Sequence, residues 1–403
     1  MFFDDSGAII VSTGHLHTYY GYSIDELPTY QTDSAYAAGQ DSRSYCENLT
    51  DYMEEGGVLK PLLEKGKLAG VREYVSFVEN LVYKFNNRFE QHPLLLVDKF
   101  NQETQKTRAE LAQIFFEEKG VPCLFFVNEA ITGLFSTGSF SGVYLDSGEY
   151  QTTISPIHDG YLLKKNIKHV PLGGSLITEK MRHLLETKSN IKRVEPFYNV
   201  KSEYLYYSGA ENMQREVKVT LLNKNVHDSY RSFFINRIVR SAKEKLLYIK
   251  QKKEDGKNEL ENLLVELPDG QKLEFMDHEV EFNSLLFTKE NKPGEVNFAK
   301  ELHELIEHCD IDIRKDLYTN IVVAGGNSLV PGFVENLEME LKNIIMGQMK
   351  IKLSSSNKAY ERRMASWIGA SILSSSSAFQ NLWIGKQDYA EYGENVLMKK
   401  CLN

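Results

Sequence analysis

The sequence predicts an α/β protein built as two related halves around a cleft, and three observations lead there. Apolar runs of strand length alternate with segments of helical period, first over residues 71–135 and again over 297–377. Two of the strand-like runs end in glycine turns, at 146–148 and 324–326. A chain of 403 residues is also more than one hydrophobic core usually serves.

The elements follow in order. "FFDDSGAIIVSTGHLHTYYGY" supplies two short β segments around a turn at Ser6 and Gly7. Residues 29–57 are polar and almost free of periodicity, so they read as a surface excursion or loop. Val71, Tyr74, Val75, Val78, Leu81, Val82 and Phe85 recur at helical spacing. "HPLLLVDKF" then reads as a buried strand, "QETQKTRAELAQIFFEEKG" as a helix, "VPCLFFV" as a strand and "NEAITGLFSTG" as a short helix. "FSGVYLDSGEYQTTISPIHDGYLL" gives strand, turn, strand, turn and strand, and "GGSLITEKMRHLLET" returns to a helix. Periodicity fades over 187–220, the place for a peripheral insertion. An amphipathic helix at 229–250 and a hairpin in "LLVELPDGQKLEF" follow, the latter turning at Asp269 and Gly270. The last hundred residues resume the α/β mode with helices at 297–308, 332–345, 364–377 and 386–390 and strands at 319–324 and near 350.

Composition excludes some classes of function. A net charge of -9 provides no global attraction to nucleic acid or to an anionic membrane. The cysteines, Cys46, Cys123, Cys309 and Cys401, are widely separated and form no metal-ligand spacing, which fits buried thiols in a reducing compartment. The start MFFDDSG is unlike a secretory leader, and the longest apolar runs fall far short of a bilayer span, so a soluble protein of nucleus or cytosol is expected.

Chemistry is concentrated at the turns. Asp5-Ser6-Gly7 and Asp146-Ser147-Gly148 can each offer backbone N–H groups to a phosphate and a carboxylate to a hydrated cation, or serve as ordinary surface turns. Gly325 and Gly326 permit close approach of a ligand, or make only a tight strand-to-helix turn. GxxxxGK[ST], GxSxG, HExxH and GxGxxG are absent. His15 and His17 read as surface or interface residues, and Lys164, Lys165, Lys168 and "QKKEDGK" as solvated charge.

With these pieces assembled, the chain resembles the actin superfamily, and within it the nuclear actin-related proteins of the actin-related protein 4 type. The resemblance lies in the 140–174 stretch, in "SYRSFFINRIVRSAKEKL", in "LPDGQKLEF", and above all in "CDIDIRKDLYTNIVVAGGNSLVPGFVENLEMEL" and the residues from 361 onward. It implies an actin-like fold, shared with Hsp70 and sugar kinases, with two α/β halves holding ATP and Mg2+ between them. The halves would be 1–130 with a return at 355–403, and 131–354 with a peripheral subdomain over 187–260. The cofactor-binding set it implies is Asp5, Gly7, Asp146, Ser147, Gly148, Lys243, Gly325 and Gly326.

Departures from the family pattern then shape the functional expectation. Ala8, Ile9 and Ser12 stand where actin has a serine, a glycine and a phosphate-contacting lysine, and Glu149 and Tyr150 replace an aspartate and a glycine. Glu129 and Thr153 fall where actin positions its attacking water with glutamine and histidine, and threonine cannot relay a proton as imidazole does. The resemblance therefore implies a subunit with no catalytic or dedicated metal residues, in which ATP is at most structural. Its setting would be a nuclear chromatin-remodelling or histone-acetyltransferase complex, beside actin on the long HSA helix of the motor or scaffold subunit. The helix would lie between elements of 132–145 and the C-terminal helices bearing Trp367, Ile368, Phe379 and Trp383. Filament formation and membrane association are not expected, and a histone or nucleosome contact draws no support from charge. The competing readings are a weak ATPase and a cytoplasmic cytoskeletal or motor-adaptor protein.

Overall fold

The computed structural model describes residues 7–40, 42–99, 104–188, 194–208, 213–222, 224–249, 263–276, 280, 297–345 and 350–401. Two six-stranded sheets dominate it. The first runs in the order Ile384–Gly385, Cys123–Asn128, Leu94–Asp98, Ile9–Thr13, His17–Tyr22 and Tyr30–Asp33. Leu94–Asp98 is parallel to both neighbours, with Leu94 opposite Ile9 on one side and Leu124 on the other. All five of its residues are buried, which is why this segment reads as an uninterrupted apolar run rather than an alternating one. The helix Val71–Lys84 turns Tyr74, Val75, Phe77, Val78, Leu81 and Val82 inward, and these residues belong to the same core as the sheet.

The second sheet runs Tyr161–Leu162, Thr152–His158, Gly142–Ser147, Ile321–Ala324 and Leu353–Ser354, with Lys168–Val170 also paired to Thr152–His158. Gly142–Ser147 and Ile321–Ala324 are parallel, Asp146 opposite Ala324. That register brings the two glycine turns side by side at the carboxyl ends of adjacent strands, the edge of a parallel sheet where ligands bind. The mixed α/β architecture agrees with the two α/β halves expected from the sequence.

Residues from 359 onward return to the first sheet. The helix Ala359–Ser375 buries Trp367, whose Nε1 donates to the carbonyl of Ile10 at 3.3 Å. The same helix crosses the short helix Glu129–Phe135 at Gly369, where a Cβ would lie 1.7 Å from the Thr132 carbonyl oxygen. Only a glycine lets these backbones meet.

Two sequence expectations need correction. Residues 29–57 are not a plain excursion: Tyr30–Asp33 edges the first sheet, while Arg43–Tyr45, Ala35–Ala38 and Val58–Pro61 form a small three-stranded sheet. Ala35, Ala37, Leu49, Met53 and Leu59 pack there with Tyr230. Strands of three or four residues are too short to print a visible alternation. Trp367 and Trp383 do not line a groove, because both are buried among the apolar residues of the first core. Phe379 is also buried, although its edge reaches a surface cavity.

Candidate functional site: a cleft closed by an internal ion pair

The pairing of strands fixes what faces the cleft. Asp98 lies opposite Asn128, so the next residue of each strand, Lys99 and Glu129, emerges at the same edge of the first sheet. Asp146 arrives from the second sheet. The Lys99 ammonium is paired with the Glu129 carboxylate and lies 3.1 Å from Asp146 Oδ2. All three side chains are nearly shielded from solvent. Burial opposes the charge on Lys99, but the two carboxylates outweigh it and raise its pKa. Burial likewise pushes the Glu129 carboxyl up, and the Lys99 charge holds it back.

A cavity of about 200 Å³ adjoins this trio. His15, at the turn between Ile9–Thr13 and His17–Tyr22, stacks on Tyr150 with ring centroids 4.9 Å apart. Burial, assisted by the Lys99 charge, lowers the His15 pKa to about 4, so the imidazole is neutral. Arg363 reaches Glu244 at 3.5 Å, joining the helix Ala359–Ser375 to Asp228–Leu246. Lys99 to Asp146, His15 to Tyr150 and Arg363 to Glu244 thus span the cleft.

The two glycines of the 321–329 segment have separate tasks. Gly325 has φ +89°, and a Cβ there would lie 2.3 Å from the Ser147 carbonyl oxygen, so it serves the contact between neighbouring turns. A Cβ on Gly326 would meet nothing within 4 Å, and this residue borders the cavity. Asn327 ties the turns together, its Nδ2 donating to the Gly148 carbonyl at 2.8 Å and to Ser147 Oγ at 3.2 Å.

The expected cofactor residues are therefore only partly gathered. Asp146, Gly148, Lys243, Gly325 and Gly326 border the cavity. Ser147 is fully buried with its hydroxyl bonded to Thr152 Oγ1 at 2.8 Å, facing away from the space. Lys243 Nζ donates to the Gly174 carbonyl and to Thr178 Oγ1, each at 3.0 Å, and burial lowers its pKa. Gly7 has φ +66° and packs against Ser23 and Ile24 rather than the cavity. Asp5 lies outside the described residues. His15 and His17, expected at a surface or interface, line the cleft wall. Lys99 escaped sequence reasoning altogether. Its one signal was its place directly after a fully apolar strand, at the ligand-binding edge of the sheet.

These residues do not fit a resident divalent ion. A hard cation needs free carboxylate oxygens and tolerates no ammonium among them, and Glu129 Oε2 and Asp146 Oδ2 already face the Lys99 ammonium. The cavity of about 200 Å³ is also smaller than the about 300–1,000 Å³ of typical small-molecule sites, so a whole nucleotide needs the His15–Tyr150 stack to open. Gly326 borders open space, whereas the His15–Tyr150 stack occupies another part of the cavity wall.

The actin family profile matches residues 3–402. Actin-related protein 4 of Arabidopsis thaliana is 32% identical over 328 residues, covering 77% of this chain and 72% of the relative. Its namesake in Oryza sativa subsp. indica is 30% identical over 327 residues, with the same coverage. The protein of that name in Emericella nidulans is 29% identical over 332 residues, covering 76% of this chain and 70% of the relative. With that match over nearly its full length and two actin-like sheets meeting at a cleft, the chain belongs to the actin family and is homologous to its actin-related protein 4 members.

Proposed function

We propose that this protein is a non-catalytic actin-related subunit of a nuclear chromatin-remodelling or histone-acetyltransferase complex, seated beside actin on the HSA helix of the motor or scaffold subunit. The observation that carries the non-catalytic reading is the locked Lys99. It occupies Glu129, which stands where actin orients its attacking water, while Thr153 at the cavity wall cannot act as a proton relay. Turnover of ATP is accordingly absent, and nucleotide, where bound, is structural. A phosphate-release assay at saturating ATP checks this, with release above the spontaneous rate counting against it.

Support for the docking mode comes from an apolar cavity of about 240 Å³ between the two halves. Ile131, Phe135, Phe140, Leu373 and Leu382 line it, and Phe140 and Tyr161 stand largely exposed at its rim. An amphipathic partner helix buries such a surface with anchors at i, i+3, i+4 and i+7. If the chain divides into 1–130 with 355–403 and 131–354, with 187–260 peripheral, as proposed, this groove lies between the two units. Purification of tagged protein from cells tests the assignment: actin and an HSA-bearing ATPase or scaffold are the expected companions. Microtubule-motor adaptors in their place would make it a cytoplasmic adaptor.

A further inference from the structure

The ion trio in the cleft is a built arrangement rather than a chance surface contact. Its cation comes from the strand end after Asp98, one anion from the helix starting at Glu129, and the other from the strand Gly142–Ser147. Sheet register fixes Lys99 beside Glu129, and the 3.1 Å contact to Asp146 joins the two sheets. Two carboxylates converging in a shielded cleft are what a hydrated divalent ion ordinarily neutralises. Here a tethered ammonium supplies the positive charge, without the six oxygen ligands that Mg2+ requires. For a metal ion to use Glu129 Oε2 and Asp146 Oδ2, Lys99 has to withdraw, leaving its own charge without these partners in a shielded site.

We infer that the Lys99 ammonium takes the place of a divalent cation in this cleft, so that a nucleoside di- or triphosphate held here is bound in its metal-free form. Lys99, Arg240 and Arg363, all lining the cavity, are then charges that meet the phosphates as they enter, once the His15–Tyr150 stack has opened. This inference rests on the geometry of the cleft and stands or falls separately from membership of any complex.

The test uses the full-length purified chain, with Mn2+ as the metal probe and ADP as the nucleotide. Calorimetric titration of the wild type with Mn2+ is expected to show no saturable site. The thermal midpoint shift given by ADP is expected to be the same in EDTA as in excess Mg2+. In Lys99→Met the two carboxylates lose their counter-ion, and Mn2+ affinity is expected to rise at least about tenfold, with a Mn2+-dependent increase in midpoint. Lys99→Arg keeps the charge and stays indifferent to Mn2+. A stoichiometric Mn2+ site in the wild type, or an ADP shift abolished by EDTA, overturns the inference. So does a folded Lys99→Met protein that remains blind to Mn2+. Should that variant fail to fold, the wild-type Mn2+ titration decides alone.

Discussion

Asp98 and Lys99 are adjacent in the chain, and each contributes to a buried ion pair, yet the two pairs have opposite surroundings. Asp98 accepts from Arg108 Nε at 2.7 Å inside the first half, with almost no solvent reaching either side chain. Lys99 points into the cleft and meets carboxylates delivered by other elements. Alternation at a strand end sends one side chain to each face, so neighbouring charges serve a sealed interior and a ligand-facing edge. Gly325 and Gly326 repeat the contrast, the first against the Ser147 backbone and the second toward open space. Burial in packed protein and burial in a cleft are different conditions, and only the latter leaves a group free to change partners.

The contrast is broken most directly at Arg108. Arg108→Leu leaves Asp98 charged without a partner and is expected to cost about 3–5 kcal/mol by urea unfolding. Replacing both partners by leucine recovers most of that. A single-variant loss below about 1 kcal/mol would mean that the Asp98 site is not sealed. Gly325→Ala forces a Cβ onto the Ser147 backbone at a positive φ, so a loss of about 1–3 kcal/mol is expected from the same measurement.

His15 sharpens the comparison from the cleft side through pH. Its folded pKa is about 4 against 6.5 for the free side chain, so between those values the unfolded chain binds the proton and the folded one does not. The stability due to neutral His15 is complete above pH 6.5 and is lost as pH falls toward 4. His15→Gln should flatten the profile in that window by about 1–3 kcal/mol, read as the difference between wild-type and variant unfolding energies. Protonation of Glu129, raised by burial, contributes with the opposite sign and is common to both proteins. The smallest effect belongs to Gly326→Ala, within about 0.5 kcal/mol in stability. A larger loss there would show that the apparent opening is packed.

Much of the fold was legible because its central strands are fully buried. "LLLV" and "CLFFV" are apolar on both faces, and the helix at 71–84 keeps an unbroken apolar stripe. The short strands of 29–57 were not legible, since three or four residues carry too little pattern. Nor was the helix Ile311–Thr319, whose few apolar residues are interrupted by Asp312, Arg314, Lys315 and Asp316. The site was half readable. Turn chemistry located Asp146, Gly148 and Gly326, but Ser147 has the same sequence credentials and turns inward, a choice made by Thr152 and Asn327 from other segments. Tyr150 was conspicuous as a bulky intruder, yet nothing local announced His15 as the ring against which it rests. Lys99 was missed because its partners arrive from distant parts of the chain, and a Lys beside an Asp reads as ordinary surface charge.

The return of residues 359–401 to the first sheet dictates an order of assembly. Trp367 fills the space beneath Ile10, and Ile384–Gly385 supplies an edge strand to Cys123–Asn128. As the polypeptide leaves the ribosome, the first sheet waits with an open edge and an uncovered apolar face while more than two hundred intervening residues are synthesised. All strands of the second sheet, the last being Leu353–Ser354, precede residue 359, so this sheet can close first. The nascent protein is therefore most exposed to aggregation in its earliest-made half, which makes that half the natural client of a holding chaperone during translation.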